Sequence, residues 1–263
     1  MSVAVVVLAA GKGTRMESDL AKVLHPLAGR PLVHWVLAAV SPLQPAQVVV
    51  IVGHQAERVE KEVTAAYPNT SFAVQPAMLG TGHAVMQAEA QLRDFMGDII
   101  VICGDTPLIE TATLQKLVAL RQQNNSGAAL LVCELDEAGA YGRVVLGEDK
   151  SVTRIVEVKD ATAEELEVRT VNAGTYSFDA QLLWHYLARI GNTNKAGEYY
   201  LTDVIGLMTK DGQRVDAVQV NEREMTGVNT RAQLAELEAS LTQASLAGDG
   251  SATQGASLAQ DAA

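Results

Sequence analysis

Between residues 5 and 16 the chain reads VVVLAAGKGTRM, an apolar run that ends abruptly in two glycines and two cations. Gly11 and Gly13 let the backbone approach a ligand and turn successive N–H groups toward it. Lys12 and Arg15, with Lys22 a little further on, bring positive charge to the same turn. Such a turn suits a polyphosphate. Neither familiar nucleotide loop fits the spacing. The dinucleotide fingerprint needs a third Gly or Ala where Met16 stands, and the phosphate loop of GTPases needs four residues between its first Gly and Gly-Lys-Ser/Thr. The competing reading is a solvated turn whose cations face water. Three cations directly after a fully apolar run, in an acidic protein, argue against it.

Asp105 in VICGDTPLI, residues 101–109, stands just beyond another apolar run. A carboxylate there can simply cap a turn, but one facing a polyphosphate is better suited to hold Mg2+, which takes one or two hard oxygen ligands alongside phosphate oxygens and water. A second oxygen must come from elsewhere. Spacing alone does not nominate it, although Asn229 in MTGVNT is a candidate. A second glycine loop, QPAMLGTGHA at 75–84, offers Gly80 and Thr81 where a helix should begin, as ligand groups or as a plain helix cap. Its Gln75 carries the donor and acceptor that could read a pyrimidine edge. Gly142 in AYGRV, Glu157 in IVEVKD, Asn172 in VNAG and Thr202 in GEYYLTD place polar groups among apolar ones, as a sugar-hydroxyl site would. The five histidines, His25, His34, His54, His83 and His185, show no metal-ligand spacing and read as core or surface residues.

The elements that must position these groups are legible as apolar runs at 3–9, 47–53, 98–104 and 128–135. Each is apolar on both alternating faces, the pattern of strands covered on both sides in a mostly parallel sheet. Helical spacing fills the gaps at 31–40, 55–67, 82–95 and 111–123. The alternation predicts right-handed crossovers, hence an α/β, Rossmann-like doubly wound sheet that binds ligands at the carboxyl ends of its strands, after Leu8, Gly53 and Cys103. From about 136 the pattern breaks. A hairpin is expected over 141–160 and a strand with a turn over 171–180, together a smaller antiparallel flap over the parallel core. The resulting division is 1–229 as one domain, 230–247 as a C-terminal helix and 248–263, small and polar without aromatics, as a disordered tail.

Composition narrows the partners. The 263 residues carry a formal charge of −11, which disfavours nucleic acid and anionic membrane surfaces, and 48% are apolar, enough for a packed core. The apolar run at 3–10 is too short to cross a bilayer and lacks a basic leader. The two cysteines, Cys103 and Cys133, sit in apolar runs without metal-ligand spacing, so reduced core thiols and a cytoplasmic setting are expected.

The motifs LAAGKGTRM…KVLHPLAGRPLV, LGTGHAV, CGDTPLI, YGRVV, IVEVKDAT, VNAGTY, GEYYLTDVI and GVNTRAQL, in this order over residues 3–240, closely resemble the uridyltransferase domain of bacterial N-acetylglucosamine-1-phosphate uridyltransferase. The resemblance implies the nucleotide-diphospho-sugar transferase type of fold. It also implies Mg2+-dependent transfer of UMP from UTP to N-acetylglucosamine 1-phosphate, giving UDP-N-acetylglucosamine and pyrophosphate for peptidoglycan and lipopolysaccharide. Carried over residue by residue, Leu8, Ala9, Ala10 and Gly11 would contact the nucleotide through their backbone, and Gln75, Gly80 and Thr81 would hold uracil and its neighbourhood. Arg15 and Lys22 would neutralise the UTP phosphates, Asp105 and Asn229 would hold Mg2+, and Gly142, Glu157, Asn172 and Thr202 would contact the sugar. Cys103 stands where some members carry Tyr, which puts a ring contact to the nucleotide sugar in doubt there. Bifunctional members continue into a left-handed β-helix of hexapeptide repeats that transfers acetyl groups and builds a trimer. No such repeat occurs in these residues, so acetyl transfer and that trimer are not expected, and the oligomeric state stays unassigned. Two alternatives remain: a transferase of the same fold with another sugar phosphate or nucleotide, and a nucleotide-sugar binding domain without catalysis.

Overall fold

The computed structural model describes residues 2–252. Its strands are β1 (Val3–Leu8), β2 (Pro26–Leu27), β3 (Arg30–Pro31), β4 (Gln47–Val52), β5 (Ser71–Val74), β6 (Asp98–Cys103), β7 (Ala128–Glu134), β8 (Arg143–Leu146), β9 (Val152–Val156), β10 (Thr170–Asp179) and β11 (Val215–Gln219). The main sheet runs β11-β7-β10-β6-β1-β4-β5, with the β8–β9 hairpin attached through β10. β1 pairs in parallel with both β4 and β6, and β4 with β5. The alternation of β1 explains its buried position: Ala4 and Val6 enter one core layer, Val5 and Val7 the other, and all four are fully buried. Helices Leu32–Val40, Ala56–Ala66 and Thr111–Asn124 lie close to their expected spans. The fold class is therefore the expected one, a mostly parallel α/β sheet with antiparallel parts.

Four details differ from the sequence reading. Strand β10, expected in a flap, is inserted between β6 and β7 and runs antiparallel to both. Its polar residues Thr175 and Ser177 are buried, and the Ser177 hydroxyl donates to Asp98 Oδ1 at 3.2 Å. A side-chain partner inside the core thus conceals a central strand from a hydropathy pattern. The β8–β9 hairpin stands apart as an antiparallel addition, and β2 and β3 form a separate two-stranded antiparallel sheet. The expected helix over 82–95 is two short ones, Thr81–Met86 and Glu89–Leu92. The edge strands β5 and β11 are short or partly exposed and carried no clear signal.

The C-terminal helix spans Arg231–Ala252, past the expected end at 247. Once Leu237 packs with Met16, Leu27, Leu32 and Val228 the helix is nucleated, and each further residue costs only propagation. The remainder of the expected tail lies outside the described residues.

Candidate active site

Leu8 and Cys103 are register partners at the carboxyl ends of β1 and β6, and the Gly104 N–H donates to the Leu8 carbonyl at 2.9 Å. The loops that follow both strands therefore start side by side. In the first, Gly13 takes the left-handed conformation (φ 61°) and leads into a short turn at Thr14–Met16. Met16, which spoils the dinucleotide fingerprint, is fully buried and pins this turn to the core cluster beneath it, while Arg15 stays exposed. The missing side chain of Gly13 also matters: a Cβ there would lie 2.5 Å from Lys22 Cβ. The Lys22 stem crosses the loop through the space that glycine leaves.

That path delivers the Lys22 ammonium to a point where it pairs with Asp105 Oδ2 and donates to Asn229 Oδ1 at 2.8 Å. Arg15 Nη2 donates to the same Asn229 oxygen, also at 2.8 Å. Asn229 is held beside Asp105 because the Val228 N–H donates to the Asp105 carbonyl at 2.9 Å. Its own N–H is taken by Gln233 Oε1, and Arg231 donates to the Met16 and Glu17 carbonyls at 3.0 and 3.1 Å. The start of the C-terminal helix is thus tied to the glycine turn. These groups line a cavity of about 330 Å3 together with Ala9, Gly11 and Cys103. Lys12, also expected in this cluster, is exposed and does not line it. Burial pushes the Cys103 thiol up to about 12, with the Asp105 charge acting the same way, so it is a neutral thiol and no nucleophile. Both cysteines are free.

A second hollow of about 280 Å3 adjoins the first, sharing Leu8, Gly11 and Thr81 and adding Ala10, Gln75 and Gly80. Gln75 is buried, and its amide nitrogen donates to the Gly80 carbonyl at 3.0 Å and lies 3.1 Å from His83 Nδ1. The amide nitrogen is thereby committed to these two partners. His83 was not singled out from the sequence, because its contact with Gln75 depends on how the loop folds back. Met78 and Glu198 line this hollow without having been foreseen.

The four expected sugar residues form a separate group. Thr202 is buried and its hydroxyl donates to Glu157 Oε1 at 3.0 Å. Burial raises the Glu157 carboxyl above its usual range; the Thr202 bond opposes this, and Asp203, Asp160 and Glu198 add to it. The Asn172 N–H donates to the Gly142 carbonyl at 2.9 Å, and a Cβ on Gly142 would lie 3.6 Å from Glu157 Oε1. The Asn172 carboxamide is fixed at both ends: it donates to Tyr176 Oη at 2.6 Å and accepts from the Gly174 N–H at 3.1 Å. None of these four residues lines either hollow. Two bridges connect them to it: the Cys103 thiol, 3.8 Å from the Gly174 carbonyl, and the Leu201 N–H, which donates to Thr81 Oγ1 at 3.1 Å.

A glycine turn at the carboxyl edge of a parallel sheet, with two cations meeting two hard oxygens, has the chemistry to take a polyphosphate together with a divalent ion. Residues 5–171 match the family described as MobA-like NTP transferase domain, and the chain belongs to that family. It is 48% identical over 237 residues to the bifunctional protein GlmU of Paracoccus denitrificans, covering 90% of this chain and 52% of that protein. For the GlmU of Shouchella clausii the identity is 46% with the same coverage. The chain spans about half the length of these curated relatives. Its fold is also that of UDP-glucose pyrophosphorylase solved with UDP-glucose, at TM-score 0.75 and 18% identity over 92% of this chain and 99% of the other.

Proposed function

We propose that this chain is a sugar-1-phosphate nucleotidyltransferase that moves UMP from UTP to N-acetylglucosamine 1-phosphate, releasing UDP-N-acetylglucosamine and pyrophosphate with the help of Mg2+. The observation that carries this reading is the meeting of Lys22, Arg15, Asp105 and Asn229 at one point beside the glycine turn. Its substrates follow from the motif resemblance and from the half of the GlmU relatives that the chain matches.

The residues fit a divalent ion. Asp105 and Asn229 present hard oxygens, and both already share one cation, the Lys22 ammonium. Among the described residues no cluster of three or more His, Cys, Asp or Glu competes for it. Two protein oxygens plus phosphate and water are what Mg2+ commonly takes, and the ion would supply charge neutralisation on the phosphates.

The chain's own groups account for the rest. Arg15 and Lys22 hold the triphosphate and stabilise the charge that builds on pyrophosphate as it leaves. A phosphate oxygen of the sugar phosphate attacks the α-phosphorus in line, and the bond to the bridging oxygen of the β-phosphate breaks with its electron pair going to pyrophosphate. No side-chain nucleophile is needed. With its nitrogen engaged by Gly80 and His83, Gln75 keeps its amide oxygen for the N3–H donor of uracil, whereas cytosine offers an acceptor at the same position. Glu157, positioned by Thr202, and Asn172, positioned by Tyr176, are placed to receive sugar hydroxyls. Free thiols suit a cytoplasmic setting, the net charge disfavours nucleic acid, and no helix among the described residues is long and apolar enough to cross a membrane.

The test is pyrophosphate release from UTP. Release should require both N-acetylglucosamine 1-phosphate and Mg2+ and stop on chelation. Release that ignores the sugar phosphate, or equal turnover with glucose 1-phosphate, overturns the assignment.

A further inference from the structure

We propose that the metal site carries its own placeholder: the Lys22 ammonium fills the gap between Asp105 and Asn229 until a triphosphate draws it away, so that divalent ion and nucleotide bind as a coupled pair. The inference rests on reading these two oxygens as the metal ligands.

The geometry points to exclusion. The ammonium occupies Asp105 Oδ2 and Asn229 Oδ1 at once, and Arg15 occupies the second of these oxygens as well. Mg2+ requires contacts of about 2.0–2.1 Å to its oxygens, which leaves no room for an ammonium on the same lone pairs. Like charges at such range also repel strongly where water is scarce, and the Lys22 and Asp105 side chains are only 17% and 16% exposed. The lysine is delivered to this position by design of the backbone, since its stem fills the space left open at Gly13. Without ligands the cluster holds two cations against one carboxylate. A divalent ion entering alone would add to that surplus, whereas a triphosphate reverses it. Phosphate oxygens that take Lys22 and Arg15 free the two ligand oxygens at the same moment, and reciprocity requires the metal to favour the nucleotide by the same factor.

The experiment measures Mn2+ binding by electron paramagnetic resonance, with no nucleotide present. Lys22→Met should bind Mn2+ about tenfold or more tighter than wild type, because the competing cation is gone. Damage to the fold would weaken binding, so a gain cannot come from misfolding. The gain should vanish in Lys22→Met combined with Asp105→Asn. Equal or weaker binding by Lys22→Met, or a gain that survives loss of the Asp105 carboxylate, overturns the proposal. Failure of the wild type to bind UTP would instead sink the substrate reading, and the Mn2+ comparison would still decide the placeholder.

Discussion

Gly80→Ala probes the segment that joins the second hollow to Thr202 and Glu157. Gly80 has φ 105° and ψ 174°, a region essentially reserved for glycine, where another residue costs about 1–3 kcal/mol. The added methyl would also lie 2.6 Å from the Tyr199 carbonyl oxygen and 2.9 Å from Glu198 Cβ. Backbone cannot retreat as a side-chain tip can, and overpacking of this kind costs about 1–3 kcal/mol more. Three hydrogen bonds hold that segment in place: Tyr199 N–H to the Leu79 carbonyl at 2.7 Å, Gly82 N–H to the Tyr199 carbonyl at 2.8 Å, and Leu201 N–H to Thr81 at 3.1 Å. A combined cost of at least about 2 kcal/mol must appear somewhere. If the segment shifts, kcat/KM falls about thirtyfold or more, with KM rising for both UTP and the sugar phosphate because Thr202 moves with it. If the segment holds its shape, Tm falls by about 4–8 °C instead. Steady-state pyrophosphate release with each substrate varied, alongside thermal unfolding, separates the two. Unchanged kinetics at an unchanged Tm would refute the reasoning.

Three further outcomes follow from the same geometry. Arg15→Ala should lower kcat by about 10²–10³ through lost stabilisation of the leaving pyrophosphate, with an unaltered unfolding curve; wild-type turnover would remove the loop from catalysis. His83→Ala frees the Gln75 amide to turn over, so the preference for UTP over CTP in kcat/KM should shrink, and undiminished preference would show that Gly80 alone orients Gln75. Thr202→Val removes the bond that holds the Glu157 carboxyl down, so its already raised pKa rises further. Sugar binding by the ionised form is lost as pH falls through that pKa. The acid limb of kcat/KM for the sugar phosphate should therefore move to higher pH, while that for UTP stays in place; a profile identical to wild type would contradict the role given to Thr202.

Much of this arrangement is legible in the sequence, for identifiable reasons. β1, β4, β6 and β7 announce themselves because burial on both faces leaves no polar alternation to confuse the pattern. The glycine turn and Asp105 stand out because their chemistry is concentrated immediately after such strands. Asn229 is different: it reaches Lys22 across 207 residues, and only the motif resemblance brought it forward. β10 departs from the expected flap because its polar residues Thr175 and Ser177 are buried, Ser177 with Asp98 as its partner. His83 and Tyr176 contact Gln75 and Asn172 only through the folded chain, and a residue that works through another leaves no mark in spacing or composition. The same holds for Tyr199 and Leu201, whose backbone hydrogen bonds tie the segment before Thr202 to the second hollow.

The central claim is that two cations and two oxygens converge on one metal-bound triphosphate. Anomalous diffraction from crystals grown with Mn2+ and UTP tests it most directly. The account places the manganese peak within coordination distance of both Asp105 and Asn229, with Lys22 and Arg15 moved onto phosphate oxygens. A peak elsewhere, or a Lys22 ammonium still seated between the two side chains while UTP is bound, would contradict it.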